Sequence, residues 1–231
     1  MKHVSGGYYI IDPCPRPEGM DETLVPPIIL SLSEYFCKFH PDTVFVTYNV
    51  SVAGKRRYAR QLGLPETDYA AIEKWVEDRF AEGLFTYSQV FMTLATARDF
   101  CARFLTHVPE PLLVGIGLPE ELVQYFLTYE GTLVKPDKER YGFEKLLLNG
   151  IEVEKTGATL LGYELLAFEY GAFITYLFNG QEREYDEHFD FKLNEHGLIP
   201  SLEEAMRYAK YSNDESEEYF WLPWAIFSYS R

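Results

Sequence analysis

The chain has 231 residues, 47% of them hydrophobic and 16% aromatic, and carries a formal charge of -15. That is enough apolar surface for one large domain or two small ones, and it excludes long disordered tracts. The charge excludes nucleic acid as a direct ligand, because a strongly negative surface repels phosphate backbones; it favours a basic protein partner instead.

The acid is unevenly spread. Residues 1–115 carry 11 basic and 14 acidic side chains, whereas residues 116–231 carry 10 and 22. Such an excess also serves solubility alone. No uncharged apolar run reaches the ~18 residues of a membrane-spanning helix, so no membrane partner is expected. The opening "MKHVSGGYYIIDP" lacks the long apolar stretch of a signal peptide. Cys14, Cys37 and Cys101 are odd in number and widely spaced, which reads as reduced thiols rather than a disulfide framework. The expected location is cytoplasmic.

In chain order, "DPCPRPEGMDETLVPP" has five prolines and reads as an extended loop. "TVFVTYNV" (43–50) is β-branched and aromatic and predicts a strand. "TDYAAIEKWVEDRF" places Tyr69, Ile72, Val76 and Phe80 at helical spacing, with Trp75 widening the face. "SQVFMTL" predicts a strand, and "TARDFCARFL" a helix capped by Thr96 with Ala97, Phe100, Cys101, Phe104 and Leu105 on one stripe. "LLVGI" predicts a buried strand, and "LPEELVQYFL" a helix with Pro119 in its first turn. This alternation resembles a βαβ unit.

The charged segment Gly131–Gly142 offers a boundary. Beyond it, Gly157 and Gly162 punctuate predicted strands, and "GAFITYLFNG" predicts a short helix ending at Asn179–Gly180. "SLEEAMRYAK" opens with a capping box, Ser201 and Glu204, and buries Leu202, Ala205, Met206 and Ala209. Pro223 breaks the terminal stretch, leaving Trp224–Tyr229 as a closing strand. The expected fold is α+β, with mixed sheets and packed amphipathic helices. It is arranged either as one domain or as an N-terminal α/β-like lobe (1–133) and an acidic C-terminal lobe (134–231).

No catalytic signature is present: there is no GxSxG and no HExxH. "VGIGLPEE" has a GxG between strand and helix but lacks a third glycine and a Walker lysine, and its two acids would repel phosphate. A tight turn explains those glycines. "GKRRYAR" concentrates Lys55, Arg56, Arg57 and Arg60 and reads as a solvated helix face. His188 and His196, with Glu187, Asp190 and Glu195, are eight residues apart, which is not the spacing of a helical metal pair. An enzyme using these histidines and carboxylates, with or without a metal, is the alternative; no cofactor is called for. The acidic run Asp214, Glu215, Glu217 and Glu218 leads into Tyr219 and Trp221. Charges beside large rigid aromatics have the composition of a binding hot spot. Glu182, Glu184, Asp186 and Glu187 form a second acidic patch.

The order "FITYLFNG", "LNEHGLI", "EEAMRYAKYSN", "WLPWAIFSY" resembles small bacterial immunity-type proteins encoded beside secreted polymorphic toxins. The matching positions are Phe173, Tyr176, Leu177 and Asn179; Asn194, Gly197 and Leu198; Ala205 and Ala209; and Trp221, Pro223, Trp224 and Tyr229. The resemblance covers roughly residues 170–230. It implies a cytoplasmic protein that binds and neutralises a cognate toxin without catalysis of its own. The two acidic patches are the expected contacts, mimicking an anionic substrate.

Overall fold

The computed structural model describes residues 1–33, 38–39, 65–86, 90–106, 112–131, 142–169, 172–215 and 219–230. The predicted strand 43–50, the basic cluster 55–60, Cys37, Glu217 and Glu218 lie outside them. The strands are β1 (His3–Ile11), β2 (Cys14–Pro15), β3 (Ile28–Ile29), β4 (Lys38–Phe39), β5 (Leu112–Pro119), β6 (Ala158–Glu169), β7 (Ala172–Thr175) and β8 (Leu222–Tyr229). The helices are α1 (Tyr69–Ala81), α2 (Leu94–Phe104), α3 (Val123–Gly131), α4 (Glu144–Leu148), α5 (Gln181–His188) and α6 (Leu202–Glu215).

The fold is α+β: a curled, half-barrel sheet in the order β4-β1-β5-β8-β6-β7, with helices packed on it and a small β2-β3 ladder beside it. Every pairing among the described residues of the sheet is antiparallel, so the described residues do not form the expected βαβ unit. Among the described residues of "SQVFMTL" (90–94), Phe91 makes isolated bridges to Tyr8 and Phe85 rather than a strand, and the helix takes over at Leu94. Its cap is Thr93, not Thr96, because Thr93 Oγ1 accepts the Thr96 N–H at 3.1 Å.

The strands run across the proposed boundary. β5 pairs with β1 on one side and with β8, the last strand in the chain, on the other. One apolar core is continuous from Val4 to Tyr229. Trp224 meets Phe126 edge-on at 5.5 Å and Phe173 at 5.2 Å, so rings from both halves share one cluster.

Several expectations change in physical detail. Pro223 lies inside β8, opposite Leu165. β5 pairs with β8 only from Ala225 onward, so at Pro223 the ladder has a single neighbour and tolerates a residue without an N–H. Ala172–Thr175 are strand β7 rather than helix; Tyr176–Asn179 form a helical turn, closed by Gly180 at φ 70°. The capping box of α6 is present, with Ser201 Oγ donating to Glu204 Oε2 at 2.6 Å and accepting the Glu204 N–H at 3.2 Å. Met206 is exposed on that helix, and Tyr208 and Ser212 occupy the buried face. Cys101 is a free buried thiol, as expected, but Cys14 is disulfide-bonded. The thiol argument for a reducing compartment therefore does not hold for Cys14.

Candidate functional sites

The two predicted acidic patches lie some thirty residues apart in sequence and belong to neighbouring helices. α5 has a single strongly apolar anchor, Tyr185, which stacks on Tyr208 of α6 with ring centroids 5.0 Å apart. The Tyr185 and Ser212 hydroxyls close the contact at 2.6 Å. This places Tyr211, half-buried on α6, against the end of α5. Its ring lies 4.9 Å from His188 and 5.6 Å from Phe189. Partial desolvation first, then the carboxylates of Glu184, Glu215 and Glu187, raises the Tyr211 pKa. The charges of Glu184 and Glu187 from one patch and of Glu215 from the other thus act on the same side chain.

The remaining predicted contacts divide. Asp186 and Asp214 are exposed, and Asp214 pairs with Lys210 one turn earlier. Glu182 is 2% exposed, with Oε2 unpartnered and burial raising its pKa. Trp221 is wholly buried, its backbone N–H and C=O clamped by Asn213 at 2.8 and 2.9 Å. Glu182 and Trp221 are therefore core groups that cannot present side chains to a partner in this conformation. Tyr219 is half-buried, its ring 5.5 Å from that of Trp221. Segment 181–215 holds ten acidic against four basic side chains, so the face has room to be strongly negative.

The positions behind the family resemblance are mostly architectural. Asn194 donates to Leu161 O at 2.7 Å and accepts the His196 and Leu198 N–H groups, folding a tight loop around Gly197 at φ 74°. Tyr176, Leu177, Trp221 and Trp224 are core. His188 packs against Tyr211 with the rings tilted by 40°, and His196 lies 3.9 Å from Glu195. Among the described residues no three His, Cys, Asp or Glu side chains gather as metal ligands.

A second feature had no signal in the sequence. A cleft of about 810 Å³ lies between α2 and the strap 151–154, floored by Ser5 and Tyr8 of β1. The strap is bound to β1 through Ser5 N–Ile151 O at 2.6 Å and Val153 N–His3 O at 3.1 Å. The glycines of "VGIG" make this possible. A Cβ on Gly117 would stand 2.7 Å from Val153, and one on Gly115 would stand 2.9 Å from Tyr229 and 3.0 Å from Tyr8. They lie within β5, not at a turn, and they let the strap and two tyrosine rings lie flat on the sheet. Tyr229 donates to Glu154 O at 2.6 Å, and Glu154 N–H reaches Tyr8 Oη at 3.4 Å.

No family model, curated protein or solved structure matches this chain. Among the described residues no helix is long and apolar enough to cross a membrane.

Proposed function

We propose that this chain is a protein-binding protein of the immunity type, which neutralises a basic toxin in the cytoplasm by covering its cationic surface. The observation that carries the reading is the packing of α5 on α6 through Tyr185 and Tyr208, which sets Glu184 and Glu187 of one patch and Glu215 of the other on adjacent helices, with the half-buried Tyr211 between them. Carboxylates held beside a rigid aromatic anchor suit a partner whose own site binds anions, with Tyr211 as the central contact and the acids as the steering rim. Exposed Asp186 and Asp214 extend that rim. Glu217 and Glu218 continue the acidic run in sequence, ahead of Tyr219.

The test is to search the neighbouring genes for a cationic toxin domain and to titrate it with this chain at low and high salt. Wild-type protein binds, more weakly as salt rises, because steering between exposed charges is screened over roughly 10 Å. The triple variant E184K/E187K/E215K keeps its melting temperature and loses about a hundredfold or more in affinity. A triple variant that binds as tightly as wild type with unchanged salt dependence would place the contact elsewhere. A wild-type protein that binds no such domain removes the reading altogether.

A further inference from the structure

The cleft between α2 and the strap 151–154 is separate from the acidic α5–α6 face, and its charges are arranged differently. All three of its carboxylates have partners, and two of them have cationic ones. Asp99 accepts from Trp75 Nε1 at 2.8 Å and from Arg103 at 2.7 Å. Glu152 lies 3.8 Å from Lys2. Glu154 on the strap accepts the Thr156 N–H at 2.8 Å, and among the described residues neither it nor Arg98 on α2 has an ion-pair partner within 4 Å. The Arg98 charge is among the groups that lower the Glu154 pKa, after the Thr156 hydrogen bonds. One positive and one negative group thus line the same cleft without neutralising each other directly.

Arg98 is held for a purpose that its present contacts do not use up. Its Nε and Nη2 donate to Ser230 O at 3.2 and 3.1 Å. That fixes one edge of the guanidinium on a backbone carbonyl and leaves the Nη1/Nη2 edge, the fork that takes a carboxylate bidentately. Ser5 lines the floor and is 2% exposed; its Oγ accepts the Gly7 N–H at 3.1 Å and donates to no described residue. Tyr8, beside it, stays neutral, because burial raises its pKa. Met92, Leu94 and Ile151 supply an apolar wall. The volume lies within the roughly 300–1,000 Å³ range of small-molecule sites, and a mostly apolar lining with a few fixed polar groups is their usual make-up.

We propose that this cleft binds a small zwitterionic ligand of the amino-acid class with an apolar side chain. Its carboxylate lies on the free edge of Arg98 within reach of the Ser5 hydroxyl, its ammonium faces Glu154, and its side chain packs on the apolar wall. A plain anion would face the Glu154 carboxylate, and a plain cation would face Arg98; a ligand carrying both charges satisfies both.

The probes are L-leucine, leucinamide (no carboxylate) and 4-methylpentanoate (no ammonium), titrated into the full chain by calorimetry and by amide chemical-shift mapping. L-Leucine is expected to bind saturably and to shift the Ser5, Tyr8 and Arg98 amides, with each single-charge analogue at least tenfold weaker. R98M and E154Q are each expected to weaken L-leucine at least tenfold. R98K, which keeps the charge but not the fork, guards against misfolding of R98M: it should melt like wild type and still bind more weakly. The proposal is overturned if none of the natural apolar amino acids binds saturably. It also fails if either analogue binds as well as L-leucine, or if E154Q and R98K both bind like wild type.

Discussion

Glu164 shows how one residue can set the response of the fold to pH. It is 1% exposed, on a strand inside the sheet, and its donors among the described residues are neutral: Ser31 Oγ at 2.5 Å, Leu32 N at 2.9 Å and the Thr175 hydroxyl. Burial therefore dominates and raises its pKa from 4.5 to about 7. Because the folded value lies above the unfolded one, its contribution to stability is complete below pH 4.5 and is lost as pH rises through about 7. A shift of this size corresponds to an effect of order 3 kcal/mol. Glu144 acts in the same direction, raised to about 6 by burial, with Oε1 unpartnered. Melting curves between pH 5 and pH 8 should thus fall for the wild type. Glu164→Gln, which mimics the protonated acid, should match wild type at pH 5 and melt several degrees higher at pH 8. Parallel wild-type and variant curves across that range would mean that Glu164 is not the titrating group.

At the level of elements, the link between α6 and β8 depends on Asn213, whose amide takes both backbone groups of buried Trp221. Asn213→Ala leaves a buried N–H and a buried C=O without partners, at about 1–3 kcal/mol each, and Asn213→Asp keeps only the acceptor. Urea midpoints should fall in the order wild type, Asp, Ala; an Ala variant within error of wild type would show that the clamp is dispensable. Elements of this kind were legible from the sequence where their cause was local. The apolar stripes of α1 and α2 and the capping box of α6 fall within a few residues of one another, and the structure keeps them. Where the cause was distant, the sequence was silent or misleading. Gly115 and Gly117 answer to Tyr8, Tyr229, His3 and Val153, not to their neighbours, so they resembled a turn. β1 went unread because Gly6 and Gly7 interrupt its pattern; Gly7 sits at a bulge with φ 98°, and a Cβ on Gly6 would press on Trp224 at 2.6 Å. α5 offers too few apolar residues to announce a helix, so nothing in the sequence predicted that it would pack on α6 through Tyr185 and Tyr208. The cleft was invisible for the same reason, since Arg98 and Glu154 are joined only by the fold.

Across the whole molecule, the sheet order ties the two ends of the chain together. β8, the last strand, sits in the interior of the sheet between β5 and β6, so the N-terminal half cannot complete its sheet until the C-terminus has been placed. A core shared in this way should unfold as one unit, since neither half retains its buried face without the other. The three tryptophans give a direct test. Trp75 packs on Phe91 and Phe100 in the first half, whereas Trp221 and Trp224 are buried in the second. W221F/W224F leaves only the first reporter and W75F only the second. Within each variant, the fluorescence transition in urea should coincide with the loss of far-UV circular dichroism, with one midpoint and one slope. A Trp75 transition displaced from the circular dichroism, or a plateau between two steps, would mean that the halves fold independently and that the β5–β8 seam is a docking contact. Coincidence makes that seam the axis of the fold, so weakening it, for example by Ile116→Ala opposite Ile226, should lower both reporters' midpoints together, by about 2–5 kcal/mol of stability.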